Sequence, residues 1–209
     1  MPRILSLATD REEALEAAAK ELQAGGIVVF PTDTVYGVGG DAFNQFATAK
    51  IFEAKRRARA MPLPVLVSRP RQAWALCSEV PRQAADLVAA FWPGALTLIL
   101  PEADGLSLDL GETKGRIAVR MPAHDDLLDL IAMVGPLATT SANLSGTPTP
   151  STVEEIAREL GDEVGLYLDG GPAHADVPST IVDLTRWRPK IVREGAIGSS
   201  EVQRALGKE

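Results

Sequence analysis

The fold of this chain is decided by the stretch Ile27-Val28-Val29-Phe30-Pro31-Thr32-Asp33-Thr34-Val35-Tyr36-Gly37. Its first four residues are apolar and mostly β-branched, and they follow a Gly-Gly pair, which predicts a short buried strand. Pro31 cannot extend a central strand, so the chain must leave the sheet there. Hydroxyls, a carboxylate and a phenol therefore come at the carboxyl end of a strand, where open α/β sheets bind ligands. The segment predicts a ligand site or, equally, a simple polar turn.

The rest of the chain alternates short apolar runs with helical patterns. The predicted strands cover residues 27–30, 65–67, 96–100, 117–120, 137–140, 166–168, 180–184 and 190–193. The predicted helices cover residues 11–24, about 44–57, 81–91, 125–134, 153–160 and 200–206. Alternating strands and helices are typical of an α/β layer structure. The alternation breaks between strands 96–100 and 117–120, and again between 180–184 and 190–193. The pattern therefore predicts an α/β fold with a mixed sheet.

The composition indicates a cytoplasmic protein with a substantial hydrophobic core. The chain has 209 residues, of which 45% are hydrophobic, and we expect a single domain over 1–209 whose core covers about 10–200. No signal-peptide hydrophobic region is present, and no apolar run approaches the roughly 18 residues of a membrane span. The one cysteine, Cys77, excludes an internal disulfide and is interpreted as a small core residue.

The charges are unevenly distributed. The net charge of −7 works against tight, nonspecific nucleic-acid binding, because such binding depends on neutralising phosphates. Five cations nevertheless fall within residues 50–59. Lys55-Arg56-Arg57 would end the second predicted helix, where cations stabilise the helix dipole, but Lys and Arg are also the usual phosphate ligands. The cluster predicts either a local anion site or a helix-end stabilising device.

Two further segments place polar side chains at or near predicted strand ends. The stretch 139–146, Thr-Thr-Ser-Ala-Asn-Leu-Ser-Gly, packs hydroxyls and an amide into a turn after an apolar strand. Such residues are common in turns for local reasons, but two hydroxyl-rich strand ends in one sheet would form a paired rim. Arg120 ends the apolar strand 117–120 and needs an anionic partner, because buried charges are almost always paired. That partner would be a structural Asp or Glu, or a substrate carboxylate.

Several chemistries are disfavoured. The chain has two histidines, His124 and His174, which lie in unrelated sequence contexts. The sequence therefore indicates neither a Ser-His-Asp triad nor the residue spacing of a metal site. Neither a GxGxxG nor a Walker A loop is present. A nucleotide, if it binds, would therefore be held by hydroxyls and cations at several strand ends.

Taken together, the motifs resemble those of the YrdC-like threonylcarbamoyl-AMP synthases. The matching stretches, in family order, are PTDTVYG (31–37), IFEAKRR (51–57), PLPVLV (62–67), FWPGALTLIL (91–100), IAVRMP (117–122), TSANLSG (140–146), PSTIVDL (178–184) and IVREGAI (191–197). Their joint occurrence is highly specific, although no single motif is. The chain looks like the short form of the family, without the additional C-terminal domain of longer members.

The resemblance implies a YrdC-like α/β fold (α+β by some schemes), an open, twisted, mixed sheet flanked by helices. It also implies a nucleotidyltransferase activity. Family members convert L-threonine, bicarbonate or CO2, and ATP into threonylcarbamoyl-adenylate and pyrophosphate. A downstream threonylcarbamoyl transferase complex then modifies adenosine 37 of tRNAs that read ANN codons. Mg²⁺ would accompany ATP, held mainly through the phosphates, and tRNA itself would bind this chain at most weakly.

The resemblance also carries over site residues, motif by motif. The L-threonine contacts would be Thr34, Arg120, Ser141 and Ser179, and the ATP contacts would be Lys55, Arg57, Asn143, Ser151 and Arg193. Lys55 and Arg57 would also be catalytic, by neutralising triphosphate charge, and Arg120 would pair the threonine carboxylate. The chain departs from the family at three positions expected to make peripheral contacts. Met61 stands where members often have Lys or Asn, Leu66 where some have His, and Arg116 where Thr is common.

Other functions stay open from the sequence alone. A carbamoyl-adenylate-forming domain is a second enzyme class, although such domains usually lie in longer chains with an acylphosphatase-like segment or cysteine fingers. A related branch without synthase activity is disfavoured by the intact Lys-x-Arg and Ser-x-Asn pairs. A noncatalytic double-stranded RNA-binding module would use the basic cluster at 50–59.

Overall fold

The computed structural model describes residues 2–173 and 177–207. Within these ranges the strands are β1 (Ile4–Ser6), β2 (Val28–Phe30), β3 (Gly37–Asp41), β4 (Val65–Leu66), β5 (Leu96–Pro101), β6 (Arg116–Arg120), β7 (Leu137–Ser141), β8 (Leu166–Asp169), β9 (Thr180–Asp183) and β10 (Lys190–Arg193). The α-helices are α1 (Arg11–Gln23), α2 (Gln45–Ala54), α3 (Pro70–Trp74), α4 (Arg82–Phe91), α5 (Asp125–Val134), α6 (Val153–Leu160) and α7 (Ser199–Ala205).

All ten described strands join one mixed sheet, in the order β1-β8-β2-β3-β7-β4-β6-β5-β9-β10. The β1–β8, β2–β8, β4–β6 and β5–β9 pairs are parallel, whereas β2–β3, β3–β7, β4–β7, β5–β6 and β9–β10 are antiparallel. The two strand pairs at which the sequence predicts a break in the alternation, β5–β6 and β9–β10, are both antiparallel. The predicted α/β class and mixed sheet are therefore confirmed.

The sheet separates two hydrophobic clusters because successive strand residues point to opposite faces. In β2, Val28 and Phe30 pack with helices α1 and α5, whereas Val29 belongs to the larger cluster on the other face. That larger cluster includes buried residues of α2, α4, α6 and α7. Helices α1 and α5 therefore cover their face of the sheet in the region around β2.

Helix α6 illustrates how the local sequence sets an element. Its buried residues have the i, i+3, i+4, i+7 spacing of one helical face: Val153, Ile156, Ala157 and Leu160. Thr152 caps its N-terminus, and its hydroxyl accepts a hydrogen bond from the Glu155 amide at 3.4 Å. Among the described residues no helix is both long and apolar enough to cross a membrane.

The structure corrects the prediction for the second helix. Helix α2 ends at Ala54, and Lys55 is its C-cap rather than part of a helix reaching residue 57. Arg56 has a left-handed φ of 50°, so the chain turns away from the helix axis there. The basic triplet thus lies in a turn after the helix, and the last turn of α2 holds no basic residue.

Three elements were not predicted: β1, α3 and β3. Strand β3 has the sequence GVGGD, which lacks the β-branched pattern that identified the other strands. Its glycines are needed for close packing, since a Cβ at Gly39 would lie 2.8 Å from the Ala138 carbonyl oxygen. Because β3 pairs antiparallel with β2, Phe30 opposite Gly37, the segment 31–36 is a loop that leaves the sheet and returns beside its own strand.

Candidate active site

A cavity of about 980 Å³ lies over the part of the sheet that α1 and α5 leave open. Its floor is built by alternate residues of three strands: Thr97 and Ile99 of β5, Arg116, Ala118 and Arg120 of β6, and Ile181 and Asp183 of β9. The residues between them, such as Leu98, Val119 and Val182, belong to the larger hydrophobic cluster on the opposite face. The loops after β2 and β7 form the walls.

Most of the predicted site residues meet in this cavity. Of the nine, seven line it: Thr34, Arg57, Arg120, Ser141, Asn143, Ser179 and Arg193. Lys55 and Ser151 are not among the lining residues. Ser151 is exposed, and its carbonyl accepts a hydrogen bond from the Ala173 amide at 2.8 Å. The two hydroxyl-rich strand ends predicted from the sequence therefore face one common space, while the roles of individual residues stay predictions.

Arg120 has an anionic partner within the chain. Its Nη2 lies 2.6 Å from Oδ1 of Asp33, its Nη1 donates to Thr34 Oγ1 at 3.1 Å, and its Nε donates to the Gly94 carbonyl at 2.9 Å. Burial lowers the pKa of Arg120, and the Asp33 carboxylate opposes that effect. These contacts use three of the five guanidinium hydrogens. One hydrogen on Nη1 and one on Nη2 are not used in these contacts, and Arg120 lines the cavity.

Ser179 and Arg193 form a second polar group on the floor. Arg193 donates through Nε and Nη2 to the Ser179 carbonyl, at 3.0 and 2.7 Å, and through Nη2 to Ser179 Oγ at 3.1 Å. Ser179 Oγ is also 2.9 Å from Oγ1 of Thr97, a buried residue that sequence analysis missed. Burial lowers the pKa of Arg193, and the positive charge of Arg120 adds to this effect. The alternation of β5 could have identified Thr97 as a floor residue.

Lys55 is buried and donates hydrogen bonds to the loop after β7. Its side chain is 1% exposed, and Nζ donates to the Ser141 and Asn143 carbonyls and, at 3.3 Å, to Asn143 Oδ1. Burial lowers the pKa of Lys55 to about 8, and the charge of Arg57 acts in the same direction. In this geometry the ammonium orders the Ser141–Asn143 backbone.

Arg57 reaches the cavity wall from the turn after α2. Its Nε donates to the Met61 carbonyl at 2.8 Å, and Nη2 donates to the Pro62 carbonyl at 3.2 Å. Nη1 lies 3.4 Å from Thr140 Oγ1. Neutral acceptors fix the guanidinium without cancelling its charge, so Arg57 keeps its capacity to bind an anion in the cavity.

Glu159 of α6 fixes the loop that carries Asn143. Its Oε1 accepts from the Leu144 amide at 2.6 Å and from Thr147 Oγ1 at 2.9 Å. Asn143 Nδ2 in turn donates to the Leu144 and Thr147 carbonyls, both at 2.7 Å. The Asn143 side chain is thereby held in one orientation. Sequence analysis did not identify Glu159, because it lies on a helix away from the loop.

The three departures from the family pattern have different positions. Met61 is exposed, and its carbonyl accepts a hydrogen bond from Arg57. Leu66 and Arg116 both line the cavity. Arg116 Nη1 lies 3.8 Å from Oδ2 of Asp183, which Arg186 also approaches at 3.5 Å. Arg116 thus neutralises a buried carboxylate at one end of the cavity.

The sequence is similar to those of known proteins over most of its length. The family described as Sua5/yciO/yrdC, telomere recombination, matches residues 20–195. A Mycobacterium tuberculosis relative is 43% identical over 197 residues, which is 94% of this chain and 91% of the relative. The Bacillus subtilis threonylcarbamoyl-AMP synthase is 39% identical over 203 residues, covering 96% of this chain but 58% of that protein. The chain belongs to the Sua5/yciO/yrdC family.

A solved structure has the same fold. Pyrococcus abyssi Sua5, in a crystal structure of its complex with L-threonine, superposes with a TM-score of 0.88 and 34% sequence identity. The match covers 100% of this chain and 61% of the P. abyssi chain. This chain therefore spans less than two thirds of that longer relative, and the YrdC-like fold predicted from the motifs is confirmed.

Proposed function

We propose that this chain is a threonylcarbamoyl-AMP synthase, an enzyme of the nucleotidyltransferase class. It would form L-threonylcarbamoyl-adenylate and pyrophosphate from L-threonine, bicarbonate or CO2, and ATP. The observation that carries the proposal is the buried Arg120 guanidinium, which lines a cavity with several threonine and serine side chains and has two N–H groups beyond its contacts with Asp33, Thr34 and Gly94. The name of the B. subtilis relative and the L-threonine bound to P. abyssi Sua5 support it.

The proposed reaction has two bond-forming steps. The neutral amine of L-threonine attacks CO2 and loses one proton, which gives a carbamate. A carbamate oxygen then attacks the α-phosphorus of ATP, and the bond to the pyrophosphate leaving group breaks. Both steps depend mainly on placing reactants together and on neutralising charge. A cavity built from cations and hydroxyls, with no nucleophile required of the protein, suits this chemistry.

The residues would divide between the two substrates. Arg120 would bind the α-carboxylate through its two remaining N–H groups, beside Thr34 and opposite Ser179. Arg57 and Arg193 would bind phosphates, because each guanidinium is fixed by neutral acceptors and keeps its charge. Lys55 would act on the same wall through the Asn143 loop that it orders.

Mg²⁺ would enter as the ATP complex, held mainly by phosphate oxygens. Among the described residues no group of three or more His, Cys, Asp or Glu side chains is placed to hold a metal ion. We further propose that the protein works in the cytoplasm and that its product passes to a separate threonylcarbamoyl transferase complex. We expect at most weak tRNA binding, since the net charge is −7.

Mass spectrometry tests this function directly. The protein is incubated with ATP, L-threonine and ¹³C-labelled bicarbonate, and the mixture is analysed within seconds of mixing. We expect an adenylate whose mass includes L-threonine and one labelled carbon. A product that incorporates the label but no L-threonine would instead indicate a different adenylate-forming enzyme, and no labelled adenylate would contradict the proposal.

A further inference from the structure

The hydroxyl of Thr32 has all of its hydrogen-bonding capacity in use. Its oxygen lies 2.7 Å from the Val35 carbonyl oxygen, which can only accept, so the single hydroxyl hydrogen of Thr32 points there. The same oxygen accepts from the Thr34 amide at 3.0 Å. It also lies 3.0 Å from Thr34 Oγ1. Because Thr32 has no second hydrogen to donate, Thr34 must be the donor in that last contact.

The polarity of the Thr34 hydroxyl follows from this arrangement. Its hydrogen is directed to Thr32, and one of its two lone pairs accepts from Arg120 Nη1 at 3.1 Å. One lone pair is left, and no hydrogen is left. Thr34 is 2% exposed and lines the cavity. Toward a ligand it is therefore a hydrogen-bond acceptor and cannot donate.

The hydroxyl pair of Thr97 and Ser179 on the floor differs from Thr34 because it keeps a hydrogen to donate. Thr97 and Ser179 contribute two hydroxyl hydrogens, and the 2.9 Å contact between them uses one. Arg193 only donates to Ser179 and accepts nothing. Whichever hydroxyl donates in that contact, one hydrogen of the pair is left for the cavity. The site thus offers an acceptor beside Arg120 and a donor at Ser179 and Thr97.

We propose that Thr32 is a positioning residue, which fixes Thr34 as the acceptor for the α-amino N–H of the amino-acid substrate. This inference rests on the proposed function. If the α-carboxylate lies on the free N–H groups of Arg120, the group nearest to Thr34 is the one attached to the same carbon, the amine. An amine N–H can only donate, so it matches an acceptor-only hydroxyl, whereas a substrate hydroxyl would fit either polarity. Held through one N–H, the neutral amine keeps its lone pair free for CO2.

The test compares two ligands on matched variants by calorimetric titration. L-Threonine is compared with (R)-3-hydroxybutanoate, which keeps the carboxylate and the hydroxyl but lacks the amine. Thr32→Val removes the hydroxyl that orients Thr34, and Thr32→Ser restores it. Thr48→Val is the control, because Thr48 is also a fully buried threonine that donates to a backbone carbonyl, at 3.1 Å, but lies in α2 outside the cavity lining. Thr34→Val provides a second route if Thr32→Val does not fold.

We expect Thr32→Val to weaken L-threonine binding about tenfold, the size of one neutral hydrogen bond, and to leave (R)-3-hydroxybutanoate within about a factor of two. Thr34→Val should show the same selective loss, whereas Thr32→Ser and Thr48→Val should match the wild type. Equal losses for both ligands, or no loss for either, would overturn the inference while leaving the proposed function intact. A wild-type protein that binds no L-threonine would contradict the proposed function itself, and this inference with it.

Discussion

The Arg120 guanidinium and the Asp33 carboxylate, 2.6 Å apart, form an ion pair at the edge of the cavity. Both side chains are largely buried. Asp33 is therefore the anionic partner that the sequence required for Arg120, and it lies with Thr34 in the PTDTVYG motif (31–37). A ligand carboxylate would share the guanidinium with Asp33, which already neutralises its positive charge. Binding of that carboxylate would therefore depend mainly on the geometry of the two remaining N–H groups of Arg120.

We predict that Arg120→Ala weakens L-threonine binding roughly ten- to hundredfold, since charge-assisted hydrogen bonds contribute about 1.5–3 kcal/mol. ATP binding should change much less. Calorimetric titration of each ligand separates the two effects. Arg11→Ala is the control, because it removes an ion pair with Asp126 outside the cavity. If a folded Arg120→Ala variant bound L-threonine normally, Arg120 would be only a structural partner of Asp33.

Arg57 and Lys55 should behave differently from each other. Arg57→Ala should fold normally and lose most ATP affinity, because Arg57 lines the cavity and is held by neutral acceptors. Lys55→Met should in addition lower the free energy of unfolding by about 1.5–3 kcal/mol, since it leaves buried carbonyls without a donor. Urea denaturation and ATP titration of both variants measure this. Equal stabilities would show that Lys55 does not order the loop.

The lowered pKa of Lys55 predicts a pH dependence of stability. Its pKa is about 8 in the folded protein and 10.5 in the unfolded chain. Between these values the unfolded state binds more protons, so this residue's contribution to stability rises with pH. Below pH 8 both states are protonated and the contribution is constant. The stability of wild type minus that of Lys55→Met should therefore increase between about pH 8 and pH 10; a difference that falls over that range would contradict the assignment.

Tyr36→Phe should destabilise the protein by about 1–3 kcal/mol. The buried hydroxyl donates to the Gly171 carbonyl at 2.6 Å and accepts from the Gly170 amide at 3.0 Å. Removing it leaves both backbone groups without that partner. The pKa of Tyr36 is raised to about 12, chiefly by burial, so the hydroxyl stays protonated at neutral pH. A thermal unfolding midpoint equal to that of wild type would show that water replaces the phenol.

Substrate selectivity should report the polar character of the cavity. L-Valine is nearly isosteric with L-threonine but lacks the hydroxyl, so polar groups of the site would be left unpaired, which is a large penalty. L-Serine lacks one methyl group, a loss of about 1–3 kcal/mol. We therefore expect kcat/KM to fall in the order threonine, serine, valine. If valine reacted as well as serine, the pocket would not recognise the substrate hydroxyl.

The sequence predicted the site better than it predicted individual contacts. The polar strand ends that carry Thr34 and Ser141 followed from apolar runs that stop at polar residues, whereas Ser179 was predicted only through the family resemblance. The structure brings all three residues to one cavity. The partners that orient them could not be predicted, because Thr97 and Glu159 come from a distant strand and a helix. Strand β3 was missed for a related reason, since its glycines serve close packing against Phe30 and give no strand signal.

Pyrophosphate release from the wild-type protein, measured with each substrate omitted in turn, tests the proposed synthase activity most directly. We expect release only when ATP, L-threonine and bicarbonate are all present, because the carbamate must form before it attacks the α-phosphorus. Release that continues at the same rate without L-threonine would contradict the account and indicate ATP hydrolysis or another adenylate-forming reaction.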